Sequence, residues 1–333
     1  MFFFVFILLS ISILMRFILI FLFFSTRVFS QSENFQKGVQ FFDTKEWPKS
    51  KEYFLKEVKY DYANYKAIEY LGDIAAYTKK WDEALGYYKV LVTNFDTNAL
   101  YNFKYGGVLA YKAQASNKFK ALTLVGDIKK HLHKAALLDT THIETRWALV
   151  QLYTSLPKIV GGSESQSKKY ANQLLKISKV DGYLALGYVN ENNNKPENAE
   201  KFYKKALAVG RSEHTYKKLS SFYEKTNQPQ KALNNYEIAY ADLQRNHLNY
   251  LFGKVSAVYN ISLEMGLVYL KRYIKNFTEK DGVPISWANY RIAQIYRHKD
   301  DKRNAYNFIQ KALNENPNLE GALTEKKLIL MMK

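Results

Sequence analysis

Small and aromatic residues recur along this chain at a fixed offset, with none of the alternation expected of a strand. Residues 44–54 read TKEWPKSKEYF and residues 78–88 read TKKWDEALGYY; Gly38 and Gly72, Trp47 and Trp81, Ser50 and Ala84, Phe54 and Tyr88 are each thirty-four positions apart. Within a unit, a small residue is followed three positions later by a small or aromatic one, and a second small residue twelve later is followed by an aromatic four further on. That spacing sets small and large side chains on facing stripes of two helices, so that the backbones approach to roughly 8–10 Å and rings fill the gaps. The pattern predicts a helical hairpin, and its recurrence predicts an array of them.

Further units follow. One carries Tyr216, Leu219, Ser220, Tyr223, Ala232, Tyr236 and Ala239, and two others carry Ile68, Leu71, Gly72, Ala84 and Tyr88, then Tyr183, Leu186, Gly187, Ala199, Tyr203 and Ala206. Near the end come Ile292, Ala293, Tyr296, Ala305, Ile309, Ala312 and Pro317, and a divergent unit runs from Tyr250 through Gly253, Gly266 and Leu270 to Tyr273. On these residues the chain resembles the tetratricopeptide repeat family. The resemblance implies an all-α fold, a right-handed α-α superhelix of about eight hairpins that share one continuous core. A terminal helix is expected near Leu319–Met331, capping the last apolar face.

Between 101 and 178 the register departs from the family. Gly106 keeps the spacing, but the second helix of that unit is expected to carry Ile128, Leu132 and Ala135, which implies roughly ten extra residues around 112–121. The next unit pairs Trp147–Tyr153 with Ala171–Leu175 across SLPKIVGGSESQSKK, which reads as a long loop over 154–168.

The resemblance also implies a concave groove lined by the first helix of each hairpin. Register places Lys66, Glu69, Asp73 and Tyr77 there, then Phe103 and Tyr111, Tyr188, Lys217, and finally Tyr290, Gln294 and Arg297. Mixed rings and charges suit a peptide or partner helix with apolar anchors and a polar register. Family members that dock chaperones grip a terminal carboxylate with Lys and Asn at set groove positions. Here those positions hold Glu69 with Asp73, Phe103 with Gly107, and Lys217 with Ser221, which argues against that mode.

Composition narrows the rest. The net charge is +18, from 49 Lys and Arg against 31 Asp and Glu, and cysteine is absent, which excludes disulfides, thiol catalysis and Cys-ligated zinc. From Met1 to Phe24 only Ser10, Ser12 and Arg16 interrupt an apolar run. Residues 1–30 are expected to be a signal peptide, with translation starting at Met15 and cleavage before Gln31; a retained membrane anchor is the alternative. Residues 31–333 form the repeat array.

Catalytic and metal motifs are not evident. His131 and His133 lie two apart and diverge on a helix, and His298 with Asp300 and Asp301 reads as a solvated turn. Gly106-Gly107 and Gly161-Gly162 lack the Lys and Ser/Thr of a phosphate loop. The expectation is an exported, non-catalytic scaffold of the periplasm or cell surface, without metal or cofactor, that binds another protein. The alternative is a module for an anionic glycan or lipid headgroup. An RNA-reading role is disfavoured, because no position keeps a polar base reader from unit to unit.

Overall fold

The computed structural model describes residues 32–333, and every regular element among them is helical. The expected leader and its cleavage site before Gln31 lie outside the described residues. Of these, residues 32–140 form one compact unit and Thr141–Lys333 a second.

The first unit holds α1 (Glu33–Asp43), α2 (Trp47–Tyr60), α3 (Tyr65–Tyr77), α4 (Trp81–Asn94), α5 (Ala99–Gln114) and α6 (Lys118–Leu138). The second holds α7 (Ile143–Ser155), α8 (Glu164–Ile177), α9 (Lys179–Asn192), α10 (Pro196–Val209), α11 (Glu213–Lys225) and α12 (Pro229–Leu243). It continues with α13 (Asn246–Tyr259), α14 (Leu263–Lys275), α15 (Ile285–His298), α16 (Lys302–Glu315) and α17 (Glu320–Leu330). Consecutive helices pack in pairs, giving three hairpins in the first unit, five in the second, and α17 against the last of them. These are the hairpins that the thirty-four-residue pattern predicts, together with the terminal helix.

Five of the hairpins close on a glycine facing a large side chain. A Cβ built on Gly38 would lie 2.7 Å from the Phe54 ring, one on Gly72 2.5 Å from Tyr88, and one on Gly187 2.6 Å from Tyr203. The same contact recurs in α13–α14, where Gly253 faces Leu270, and in α5–α6, where Gly106 faces Leu132. Phe54, Tyr88, Tyr203, Leu132 and Leu270 are all buried, so their positions are held from every side. Backbone proximity, rather than turn flexibility, is what these glycines supply.

Five of the eight turns inside the hairpins share one geometry. Lys45, Lys79, Asn194, Asn227 and Asp300 all take positive φ, between 55° and 61°. Just beyond each, an amide donates to a carbonyl five residues back: Glu46 to Phe41, Lys80 to Ala75, Lys195 to Asn190, Gln228 to Tyr223 and Asp301 to Tyr296. That bond satisfies a carbonyl left open at the end of the first helix and reverses the chain within three residues. Asn and Asp tolerate the left-handed region, whereas lysine gains nothing from it. At the turns between hairpins, Asn64 and Asn98, thirty-four apart, accept from the amides of Ala67 and Tyr101 and so cap α3 and α5.

Two local expectations are refined. The long loop expected over 154–168 is confined to 156–163, and Thr154, Ser155 and residues 164–168 are helical. Ser163 Oγ accepts from the Gln166 amide and Glu164 pairs with Lys168 one turn on, so the polar tail starts a helix despite its composition. Pro157 and Gly161 flank a single 3-10 turn, Lys158–Val160. The ten additional residues of the third hairpin are helical as well: α6 spans 21 residues, where α2 and α4 each span 14.

Glycine substitutions separate packing from propensity. Gly72→Ala should destabilise the first unit by about 1–3 kcal/mol in urea unfolding, because the buried Tyr88 ring has no room to retreat. Gly86→Ala, whose Cβ meets nothing within 4 Å, should stabilise by about 0.5–1 kcal/mol. In the turn, Lys79→Gly should add about 1 kcal/mol by relieving the left-handed backbone. Equal effects at Gly72 and Gly86 would refute the close-approach account.

Candidate functional site

In the first unit, α3 and α5 lie one repeat apart, and their side chains meet in a charge network. Lys104 Nζ sits 2.6 Å from Glu69 Oε1 and 2.7 Å from Asp73 Oδ2, and Lys66 Nζ lies 2.9 Å from Glu69 Oε2. The Tyr88 hydroxyl donates to the other oxygen of Asp73. Glu69 is buried, so its charge is stable only because two ammonium groups face it. Burial is the largest influence on its carboxyl and raises the pKa, but hydrogen bonds from Lys104 and Lys66 outweigh it and hold the group below its ordinary range. Burial, with Asp73 beside it, pushes the Tyr88 hydroxyl far up, so it remains a donor.

Beside this network stand two aromatic ledges built alike. Tyr77 stacks on Trp47 with ring centroids 5.3 Å apart and planes 22° apart; Tyr111 stacks on Trp81 at 5.3 Å and 10°. Each pair joins the end of one hairpin's first helix to the start of the preceding hairpin's second helix, thirty residues earlier. The tyrosines remain 63% and 57% exposed, so one face of each ring is offered to solvent while the other is fixed. Rigid rings with a polar tip are efficient anchors, because little side-chain freedom remains to be lost on binding.

The candidates of the second unit are more dispersed. Tyr188 is half-buried on α9, and Lys217 is exposed on α11 with Glu213 at 3.8 Å. On α15, Tyr290 is buried beneath the Arg291 guanidinium, which lies 4.4 Å from its ring centre and donates to Gln294 at 2.9 Å. Arg297 is tied to the buried Glu325 of α17.

The structure thus gathers Lys66, Glu69 and Asp73 into one network and sets Tyr77 and Tyr111 on matching ledges, with Phe103 half-buried on α5. As accessible contacts, Glu69 and Tyr290 are corrected: the first is occupied by lysines and the second lies under an arginine. Arg297 is likewise spent on Glu325. Sequence reasoning missed Lys104, Trp47 and Trp81 as parts of the site. Lys104 stands thirty-five residues after Glu69, one repeat on, which is the signal that would have found it. The two tryptophans were visible as repeat markers but not as supports for a later tyrosine. Among the described residues, no three His, Asp or Glu side chains gather where they would hold a metal ion.

The family model described as Tetratricopeptide repeat matches residues 180–209 and 288–319, which span the α9–α10 hairpin and most of α15–α16. Both stretches are tetratricopeptide repeats. Among solved structures, a tetratricopeptide repeat protein from Parabacteroides merdae is 13% identical, aligned over 90% of this chain and 98% of its own, with a TM-score of 0.50. TTC0263 from Thermus thermophilus is 13% identical over 72% of this chain and 97% of its own, at a TM-score of 0.38. YrrB, described as a TPR protein with an unusual peptide-binding site, is 18% identical over 59% of this chain and 97% of its own, at 0.41. No curated protein matches the chain. At such identities the likeness to the Parabacteroides protein establishes the fold and leaves the site to be argued from these residues.

For this tetratricopeptide repeat chain, the buried network sets a pH limit on the first unit. A carboxyl held below its ordinary 4.5 contributes stability that is present above that value and lost as pH falls through the folded-state pKa. Acid unfolding should therefore weaken the first unit below pH 4.5, and Glu69→Gln should flatten that dependence. Lys104→Met, which leaves Glu69 and Asp73 short of a counter-charge, should cost about 3 kcal/mol at neutral pH in urea unfolding. An unchanged midpoint would show the network to be dispensable.

Proposed function

We propose that the chain is an exported, non-catalytic scaffold that holds another protein on the first-helix face of its first unit, with Tyr77 and Tyr111 as anchors. Tetratricopeptide repeat proteins generally bind other proteins or peptides, and the repeats of this chain support the same coarse reading. The finer reading is carried by the paired ledges: two exposed phenols, each braced by an indole, one repeat apart. An extended segment crossing them would find apolar contact at both, and the neighbouring Lys66 would give polar register beside them.

A non-catalytic role is supported by where the strongly perturbed titratable groups lie. The tyrosines with the largest shifts, Tyr88 and Tyr203, are buried and bonded to Asp73 and Glu191, so they serve packing and have no free partner to activate. Export rests on the apolar run at residues 1–24, which favours the periplasm or cell surface as the site of action.

The test is affinity capture with the purified chain, comparing it with Tyr77→Ser/Tyr111→Ser and with Lys89→Glu on α4, an exposed position remote from the ledges. A specific partner should be recovered at least tenfold less by the double variant, while Lys89→Glu retains it and circular dichroism shows all three folded. Equal recovery by both variants would remove the ledges from the binding surface.

A further inference from the structure

We propose that the projecting end of the α5–α6 hairpin is a membrane-contact point that seats on an anionic lipid surface. It shares no residue with the aromatic ledges, so it stands or falls apart from the protein-binding reading.

The projection follows from register. Gly72 and the Tyr88 ring it faces are sixteen residues apart, whereas Gly106 and Leu132, in the same crossing contact, are twenty-six apart. The ten additional residues do not loop out. They lengthen both helices past the packed crossing, three residues on α5 and seven on α6, which at 1.5 Å per residue extends the hairpin by about 5–10 Å. From Ala113 to Asp127 no side chain is fully buried, and Asn117, Lys118, Phe119 and Lys120 at the tip are exposed.

Its chemistry is one-sided. The first turn of α6 presents Lys118, Phe119 and Lys120; the Phe119 ring is 84% exposed, and Leu122, three positions on and therefore on the same face, is 47% exposed. No acidic residue occurs from Thr97 to Gly126. The other two lysines in that stretch are engaged, Lys104 with Glu69 and Asp73, and Lys112 with Asp82. Asp82 is also the acidic group that Lys120 feels, and Lys112 already binds it. Among the described residues Lys118 forms no ion pair, so uncompensated positive charge stands beside the exposed ring.

A ring flanked by two ammonium groups at the end of a rigid hairpin complements an anionic bilayer. The ring and Leu122 enter the boundary between headgroups and acyl chains, and the lysines remain at the phosphate level. The rest of the tip, Gln114, Ala115, Ser116 and Asn117, is small and polar and forms no wall around the ring. A fluid interface requires no such wall, whereas a folded partner anchored on the ring would need a matching pocket of its own. With two charges and two apolar side chains the attachment is reversible and weakens with salt.

The absence of cysteine allows a single reporter. Gln114→Cys, at an exposed position, carries an environment-sensitive dye in the full chain, and Lys89→Cys carries it as a control. On phosphatidylcholine vesicles containing phosphatidylglycerol, the dye at 114 should shift to the blue and be quenched by spin-labelled lipid; on phosphatidylcholine alone it should not. Lys118→Gln/Lys120→Gln should weaken this response about thirtyfold, taking each lysine near an anionic surface as worth about 1 kcal/mol, and Phe119→Ser should abolish the quenching. The proposal is overturned by a dye that stays in water on anionic vesicles, by an equal response on neutral vesicles or at position 89, or by a blue shift that grows with protein concentration without lipid, which would mark a second copy as the occupant.

Discussion

The contact on which the array depends is that of a residue without a side chain, or nearly so, against a ring or branched side chain of the next helix. Gly72 on Tyr88, Gly187 on Tyr203 and Gly253 on Leu270 let two backbones close on one buried group, and each such group then seals the next hairpin as well. Phe54 shows this propagation: it fills the space over Gly38 and stacks on Tyr70 of α3 at 4.7 Å. One hairpin alone would leave that ring half in water. Neighbours are therefore required, and a chain of this kind gains stability by adding units rather than by enlarging one core.

Ion pairs at the repeat spacing run alongside the apolar seam. Glu69 with Lys104, Glu191 with Lys225 and Glu264 with Lys299 are separated by thirty-four or thirty-five residues, so each ties a hairpin to its successor, and His247 hydrogen-bonds Glu213 at the same spacing. Most are partly exposed, and such pairs contribute only about 0–1 kcal/mol each. Their larger effect is on register: a hairpin slipped by one turn would set like charges together. Of these pairs, the Glu69 network is the one sheltered from water, and it bears on stability directly. Because the acidic residues are drawn into these pairs, the surplus of lysine is left facing solvent, and at the α5–α6 tip it stands free.

The ledges and the tip differ in how they are held. Tyr77 and Tyr111 are stacked on tryptophans of the preceding hairpin and are fixed by it, which suits recognition of a defined partner. Phe119 has no ring beneath it and lies on helix beyond the packed part of the unit, which suits a surface with no fixed shape. One unit thus presents two kinds of apolar group, and the insertion of ten residues into a single repeat separates them.

How much was legible in the sequence follows from how local each feature is. The hairpins, their number, the terminal helix and the displaced second helix of the third hairpin are written in spacing, because periodicity is a property of the chain itself. Asn64 and Asn98 could likewise be read as caps. The tail after Gly162 was misread as loop, since its composition hid a cap and an ion pair that only the folded turn brings into place. The site was legible by row but not by role. Register could assign Glu69, Asp73, Tyr77 and Tyr290 to one face of a helix, yet whether each meets solvent, lysine or arginine is decided by the neighbouring hairpin. Sequence alone determined the repeating unit and its count, because small and large residues must alternate wherever two helices touch. Tertiary structure alone decided which of those residues stay exposed, because burial depends on groups some thirty residues away along the chain.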